Sequence, residues 1–218
     1  PYSVVPGNHD YLVSGDFERG GSLMDDYFPE SRYSANAWFG GTFRGSTTNN
    51  YTYFANGNQR FLVLSLEYAP RKDVLCWASD LIATHPDHHV IIATHCYLTH
   101  GGSYASCPNP SYDTIGASGT EVWDELVSHH SNVFLVVTGH VGDSEFRIQT
   151  AHTGVGVREM LVDYQFEAEC DLASASQCTN HCRTGTYHGN GWMRQLVFDP
   201  LAGTVEARTF TVEDGNHQ

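Results

Sequence analysis

The sequence predicts an α/β fold with two β-sheets and flanking helices. Two apolar runs, at residues 89–94 and 133–138, are typical of strands that are covered on both faces. A helical pattern precedes each run, so the middle of the chain predicts β-α-β units with parallel neighbouring strands. Three segments near the carboxyl end, at 159–164, 193–198 and 204–212, are typical of antiparallel strands and predict a second sheet.

The chain opens on a short apolar segment that predicts a strand ending in a polar turn. Residues 4–6 lead to Gly7, which lets the backbone turn tightly. Asn8, His9 and Asp10 would then project together at the carboxyl edge of a sheet, where open α/β sheets bind ligands. An amide oxygen can bind a metal and a neighbouring imidazole can donate a proton. The turn is therefore a candidate site, and the alternative is a turn that only caps the next element.

Residues 11–45 predict a long surface excursion, because the segment is rich in Gly, Ser, Asp and aromatic residues. A short helix is expected near residues 22–27. The aromatic side chains could line a substrate cleft or pack within the loop; they are Tyr11, Tyr27, Phe28, Trp38 and Phe39. The sequence Asn50-Tyr51-Thr52 that follows is also a glycosylation sequon.

The first predicted β-α-β unit runs from a strand at 61–66 through a helix at 73–84 to the strand at 89–94. Helical spacing places three apolar residues on the inner face of the helix, namely Val74, Trp77 and Leu81. The second strand delivers His95 to its carboxyl end. A turn at the opposite end holds His85, His88 and His89, for which a further metal site is the alternative to structural roles.

The second predicted unit begins with a capping box, Ser118-Gly119-Thr120-Glu121, which marks the start of a helix. Val122 and Leu126 would lie on the inner face of that helix. The strand at 133–138 follows and leads through Gly139 to His140.

Three polar strand ends are therefore expected to converge at one edge of the sheet. They carry Asn8, His95 and His140, and an amide with two imidazoles is a donor set that an oxygen- and nitrogen-liganded metal centre needs. The alternative is a group of hydrogen-bonded structural residues.

These motifs resemble those of the calcineurin-like metallophosphoesterases of the secreted type. Gly7-Asn8-His9-Asp10, His95 and Gly139-His140 are similar to the third, fourth and fifth motifs of that family. Four further segments resemble family members, at 50–53, 61–67, the helix containing Trp77, and 191–194. The resemblance implies a four-layer αββα sandwich, formed as a single domain by residues 1–218.

The resemblance also implies roles for individual residues. Asn8, His95 and His140 match three ligands of one divalent transition metal, which would be zinc, manganese or iron. His9 matches the residue that protonates the leaving group or steadies the phosphate, and Asp10 would orient it. The implied reaction is hydrolysis of phosphate mono- or diesters by metal-activated water, with a small-molecule phosphate ester as substrate.

The chain departs from the family at the ligands of the other metal. The family's first motifs, Asp-x-His and Gly-Asp, have no counterpart, so the domain is expected to lack its first strands. The family's Gly-His-x-His has Gly142 in place of the second histidine. Two hypotheses follow. Either upstream residues or another chain complete a phosphoesterase site, or the chain is a non-catalytic extracellular module whose exposed sheet edge is covered by a partner chain or by self-association.

Composition narrows the class of partner. The chain has 218 residues, 25 acidic against 11 basic, and a net charge of −14. Such a charge disfavours a nucleic acid or an anionic membrane as partner. No apolar run approaches the roughly 18 residues of a membrane-spanning helix.

Six cysteines predict disulfide bonds and an extracellular location. Cys170, Cys178 and Cys182 lie in a polar stretch that would need a disulfide cross-link to be ordered. The alternative is a zinc ion bound by Cys178, His181 and Cys182. Cys96 and Cys107 could pair with each other, and Cys76 could be a buried thiol on its helix.

Overall fold

The computed structural model describes residues 1–11, 22–107, 116–165, 191–199 and 202–211. The chain divides into two compact units. The first comprises Pro1–Val141 with Glu145–Leu161, and the second comprises Gly142–Ser144 with Val162–Gln218. The described residues form a large mixed sheet of seven strands and a small sheet of two strands. The predicted α/β class is therefore confirmed.

The large sheet has the strand order β1-β2-β3-β4-β5-β7-β6. Its strands are β1 Phe39–Phe43, β2 Ser46–Asn56, β3 Gln59–Leu66, β4 His89–Thr94, β5 Val133–Thr138, β6 Asp143–Thr150 and β7 Gly156–Asp163. Three helices are described outside the 3-10 turns, namely α1 Met24–Tyr27, α2 Lys72–Ala83 and α3 Gly119–Glu125. The small sheet consists of β8 Trp192–Asp199 and β9 Thr204–Thr211.

Parallel strands form the centre of the large sheet. β3 pairs in parallel with β4, and β4 pairs in parallel with β5. Both predicted β-α-β units are thus confirmed, with α2 and α3 as their helices. β1, β2 and β3 pair in antiparallel fashion on the other side of β3. The parallel strands therefore deliver their carboxyl ends to one edge of the sheet.

The predicted antiparallel strand at 159–164 is wrong. These residues belong mostly to β7, which pairs in parallel with β5 and sets Leu135 opposite Arg158. Val157, Glu159 and Leu161 are fully buried, as expected for a strand between two neighbours. The apolar pattern reports this burial but not the identity of the neighbouring strand, which depends on long-range pairing. β8 and β9 do form the predicted antiparallel pair, from Trp192 opposite Thr211 to Asp199 opposite Thr204.

The predicted strand at residues 4–6 is also absent, since described residues 1–7 form no ladder. Side chains of the sheet bind this segment instead. The Asn50 amide nitrogen donates to the Val4 carbonyl oxygen at 3.3 Å, and the Ser3 hydroxyl donates to Asn50 Oδ1 at 2.9 Å. Pro6 removes a backbone donor, which makes regular pairing unfavourable. The segment is held in place without becoming a strand.

Helix α2 packs its apolar face onto β3 and β4. Val74, Leu75, Ala78 and Ile82 are buried in a core shared with alternate residues of both strands. Burial of each large side chain contributes roughly 1.5–3 kcal/mol. Trp77 and Leu81 flank this face and are only half-buried, so the predicted inner face is rotated from the observed one. No helix among the described residues has both the length and the apolarity needed to cross a membrane.

Helix α3 begins with the predicted capping box. The Glu121 backbone nitrogen donates to Ser118 Oγ at 3.2 Å, and the Ser118 backbone nitrogen donates to Glu121 Oε2 at 2.8 Å. These two bonds satisfy donors that the first turn would otherwise leave unpaired. Val122 and Leu126 are buried as predicted.

The excursion before β2 contains more regular structure than the sequence suggests. α1 confirms the predicted short helix, and β1 lies within the segment expected to be irregular. Asn50 itself is 4% exposed, and its amide also donates to the Thr47 carbonyl oxygen at 2.8 Å. A buried and hydrogen-bonded amide is inaccessible in the folded chain, so the sequon is not a usable glycosylation site there.

Candidate functional site

The carboxyl ends of β4 and β5 are joined through the backbone of His95. The His95 carbonyl oxygen accepts from the Gly139 backbone nitrogen at 3.1 Å and from the Thr138 hydroxyl at 3.0 Å. His140 follows with φ +73°, a left-handed conformation that non-glycine residues adopt uncommonly and that concentrates at functional sites. The two histidines are therefore delivered side by side at the same edge.

Asn8, His9 and Asp10 form a single 3-10 turn. The Asp10 carboxylate accepts from the Gly7 backbone nitrogen at 2.7 Å, and the Asp10 nitrogen donates back to the Gly7 carbonyl at 3.1 Å. Asn8 is buried, whereas His9 and Asp10 are exposed. The turn thus places the amide inward and the two ionisable side chains toward solvent. The described contact of the Asp10 carboxylate is with Gly7, and its orientation of His9 stays a prediction.

The structure brings the three predicted ligands together. His95 Nε2 lies 3.1 Å from Asn8 Oδ1 and 3.2 Å from His140 Nδ1. The centroids of the two imidazole rings are 4.9 Å apart. One nitrogen of His95 is therefore the meeting point of an amide oxygen and a second imidazole nitrogen.

This donor set fits a divalent transition metal. Zinc–ligand bonds of about 2.0–2.1 Å place neighbouring ligands of a tetrahedral site about 3.3 Å apart, close to the two spacings at His95. Hydrogen bonding alone is the alternative, since a protonated His95 Nε2 donates to the Asn8 oxygen and an unprotonated one accepts from His140 Nδ1. A shared cation would bind the same oxygen and the two imidazole nitrogens.

No matching set of ligands for another metal is described nearby. Within the described ranges, no group of three or more His, Cys, Asp or Glu side chains could hold a metal ion. The candidate site therefore depends on the Asn8 amide oxygen as its third donor.

A buried carboxylate at the end of β3 has a different use. Glu67 is fully buried, and its Oε1 accepts from Arg71 Nε at 2.8 Å. Its Oε2 accepts from the Asn49 amide nitrogen at 2.9 Å. Because both oxygens are engaged, Glu67 stabilises the strand end and is not a metal ligand in this conformation.

Tyr68 and the Cys96–Cys107 disulfide form the inner wall of the site. The Tyr68 ring lies against both His95 and His140, and it is buried with both cysteines. Sequence reasoning missed Tyr68. Its position immediately beyond β3, at the edge that carries His95, is the signal that could have identified it.

Histidines at the opposite end of the sheet have structural roles. His85 Nδ1 lies 2.8 Å from the Leu81 carbonyl oxygen, and His85 Nε2 lies 2.8 Å from the Tyr53 hydroxyl. His89 Nε2 lies 2.5 Å from Gln59 Oε1. Both nitrogens of His85 are thereby engaged, which argues against the alternative metal site with His88 and His89.

The cysteines agree with the sequence in part. Cys96 and Cys107 form a disulfide, as the sequence allowed. Cys76 is an exposed free thiol and not a buried one, because it lies on the outer side of α2. Cys170, Cys178 and Cys182, together with the alternative zinc site at His181, lie outside the described residues.

Comparison with known proteins identifies a distant relative. The chain is 24% identical over 225 aligned positions to the uncharacterized protein YvnB of Bacillus subtilis strain 168. The alignment covers the whole of this chain and 15% of YvnB, so the chain spans a small part of that relative. No family model matches the chain.

Proposed function

We propose that the chain forms the greater part of a calcineurin-like metallophosphoesterase domain of the secreted type, in which Asn8, His95 and His140 hold one zinc, manganese or iron ion. The observation that carries this proposal is the approach of Asn8 Oδ1 and His140 Nδ1 to the same His95 nitrogen. The order of the motifs along the chain supports it. The proposed reaction is hydrolysis of a small phosphate mono- or diester.

The proposed fold is a four-layer αββα sandwich made by residues 1–218 as one domain. The parallel strands β3, β4, β5 and β7 would form its first sheet, and β8 with β9 would belong to its second. The Cys96–Cys107 disulfide supports an extracellular location, because such bonds persist in oxidising compartments.

Each residue of the site would have a distinct task. When bound, the ion would supply Lewis acidity and lower the pKa of a coordinated water toward about 7. His9 is exposed beside the ligand turn, where it would donate a proton to the leaving oxygen. The Asp10 carboxylate accepts from the Gly7 backbone nitrogen, and by fixing the turn it would orient His9. Ligands for a second ion would come from residues outside this chain.

A second candidate function is that of a non-catalytic extracellular assembly module. β6 is an edge strand of the large sheet, and its Phe146 and Ile148 side chains are 55% and 59% exposed. Exposed apolar residues on an edge strand favour pairing with a partner chain or a second copy. Such a module would keep the fold without turnover.

Metal content and turnover, measured on the same preparation, test the proposal. We expect at least one transition-metal ion per purified, undialysed chain by native mass spectrometry, and hydrolysis of p-nitrophenyl phosphate or its bis-ester. His140→Ala should abolish metal binding, because it removes one of three ligands. His9→Ala should retain the metal but lower turnover by about 10²–10⁴-fold, the usual worth of a general acid.

The exposed His129, outside the site, provides the matched control, and His129→Ala should change neither quantity. Metal binding without turnover would favour the assembly module. A chain that takes up no zinc, manganese or iron even at high concentration would refute the metal site itself.

A further inference from the structure

Tyr68 contacts both candidate metal-binding histidines. Its ring centroid lies 6.0 Å from that of His95 and 5.5 Å from that of His140, with the latter pair edge-on. Tyr68 is 1% exposed. The buried Tyr68 ring therefore packs against the inner side of both imidazoles.

A second surface confines His95. A β-carbon added at Gly7 would lie 3.1 Å from His95 Nε2 and 3.2 Å from Cε1. Gly7 thus lies in close contact with the imidazole ring. Rotation of a histidine ring about its outer torsion is otherwise broad, so such contacts decide where the nitrogen points.

The Tyr68 hydroxyl is hydrogen-bonded to the backbone of one of the two disulfide-bonded cysteines. It donates to the Cys107 carbonyl oxygen at 2.5 Å. Cys107 is bonded to Cys96, which directly follows His95. Tyr68 is therefore connected to His95 in two ways. Its ring contacts the His95 ring directly, and its hydroxyl is linked to His95 through Cys107, the disulfide and Cys96.

The Tyr68 backbone is also held firmly. The Glu67 carbonyl oxygen accepts from the Thr94 hydroxyl of β4 at 3.1 Å. Ala69 then adopts φ +44°, so the chain turns sharply after the tyrosine. The ring is consequently placed by the ends of β3 and β4 and not by a loop of its own.

We propose that Tyr68 is the positioning residue of the candidate metal site and that the Cys96–Cys107 disulfide sets its position. The inference rests on the proposed function for the identity of the bound metal. Tyr68 touches neither metal nor substrate. It acts through His95 and His140 by holding their rings in the orientation in which the donors converge, as outer residues of metal sites do.

Two variants separate the ring from the hydroxyl. Tyr68→Leu removes the aromatic ring that packs against His95 and His140. It should weaken Zn²⁺ binding about 10–100-fold, the usual effect of losing such a supporting residue. Tyr68→Phe keeps the ring and loses only the tie to Cys107, so its effect should be smaller. The affinity is measured by competition with a chromogenic chelator.

A double-mutant cycle tests the link to the disulfide. Cys96→Ala/Cys107→Ala should weaken Zn²⁺ binding. Adding Tyr68→Phe to that background should then have little further effect, because both changes interrupt the same connection from the Tyr68 hydroxyl through the disulfide to His95. Tyr53→Phe is the matched control. It removes a tyrosine hydroxyl that bonds His85, so it should leave Zn²⁺ affinity unchanged. If Tyr68 served only the stability of the fold, Tyr68→Phe and Tyr53→Phe would change Zn²⁺ affinity equally whenever they lower the free energy of unfolding equally.

A metal-free measurement keeps the inference separate from the proposed function. Imidazole NMR signals of His95 and His140 should be single and sharp in the wild-type chain and broadened or multiplied in Tyr68→Leu. Absence of Zn²⁺ binding by the wild type would refute the metal site, whereas unchanged histidine signals in Tyr68→Leu would refute the positioning role. Wild-type Zn²⁺ affinity in Tyr68→Leu would refute it as well.

Discussion

At the candidate site, Gly7 matters because it has no side chain that would press on His95. Its backbone conformation, φ −89° and ψ 173°, is one that any residue adopts, so conformational freedom does not explain the glycine. The reason is the His95 ring, which a β-carbon would approach to 3.1 Å. A substitution here therefore acts on the site and hardly on the fold.

We predict that Gly7→Ala lowers Zn²⁺ affinity about tenfold, because the added methyl group displaces His95 Nε2 from its two partners. The unfolding midpoint in urea should change little, since an alanine fits the Gly7 backbone without strain. Chelator competition and urea titration measure the two quantities.

Gly156→Ala is a matched control for this prediction. A β-carbon at Gly156 would also meet a neighbour at 3.1 Å, but that neighbour is the Ile148 methyl group on β6. Its Zn²⁺ affinity should equal that of the wild type. Equal affinities for Gly7→Ala and the wild type would show that His95 can shift without loss of Zn²⁺ binding, and would refute this role of Gly7.

A half-buried histidine links helix α2 to the segment that follows α3. His130 lies in that segment, and its Nε2 lies 2.9 Å from the Ser79 hydroxyl on α2. Burial, and secondarily the neighbouring His129, lower the pKa of His130 below its ordinary value. The neutral ring is therefore the form that the fold favours.

This shift predicts the direction of acid sensitivity. The unfolded chain, with an ordinary histidine pKa of about 6.5, binds the proton more readily than the folded chain. Stability from His130 is thus fully present above about pH 6.5 and is lost as the pH falls toward the lowered folded pKa. In His130→Gln, which can still bond Ser79 but does not titrate, the fall in the urea midpoint between pH 7 and pH 5 should be smaller than in the wild type.

The exposed neighbour His129 serves as the reference for this effect. We expect His129→Gln to reduce the slope of midpoint against pH less than His130→Gln does, because His129 is the smaller cause of the lowered pKa of His130. If His130→Gln retains the wild-type slope, the acid sensitivity resides elsewhere in the chain and not in His130.

At the scale of the whole molecule the dominant feature is negative charge. Self-repulsion of a net −14 opposes the compact state. Salt screens this repulsion, since the Debye length falls from about 30 Å at 0.01 M to about 8 Å at 0.15 M. We predict that raising NaCl over this range at pH 7.5 raises the thermal midpoint by about 2–4 °C, equivalent to about 1 kcal/mol.

The pH provides the control for the salt effect. Near pH 5, close to the sequence pI of about 5.2, the net charge of the chain approaches zero. The same change in NaCl should then leave the midpoint nearly constant. A rise of equal size at both pH values would assign the effect to salting-out of apolar surface and not to screening.

Local sequence patterns accounted for those parts of the fold that depend on neighbours in the chain. Ser118 and Glu121 predicted the start of α3 because a capping box is completed within one turn. The runs that form β4 and β5 predicted buried parallel strands, because such strands lack a polar face. Helix α2 was found, but its inner face was not, since Leu75 and Ala78 are buried by the position of the sheet and not by helical spacing alone.

Local patterns failed where a strand depends on a distant partner. Nothing within residues 4–6 indicates that the side chain of Asn50 would replace a ladder. Nothing within the segment at 159–164 indicates that it would pair in parallel with β5. Both outcomes depend on contacts between residues far apart in sequence, which a local apolar pattern does not encode.

The candidate site divides along the same line. The sequence by itself determined the candidate donors Asn8, His95 and His140 and their places at strand ends and a turn, because residue type and strand position are local properties. Only the tertiary structure decided that two of them approach one nitrogen of His95, and that Tyr68, Gly7 and the disulfide enclose it. The physical reason is that ring orientation follows from packing, and packing joins parts of the chain that the sequence keeps far apart.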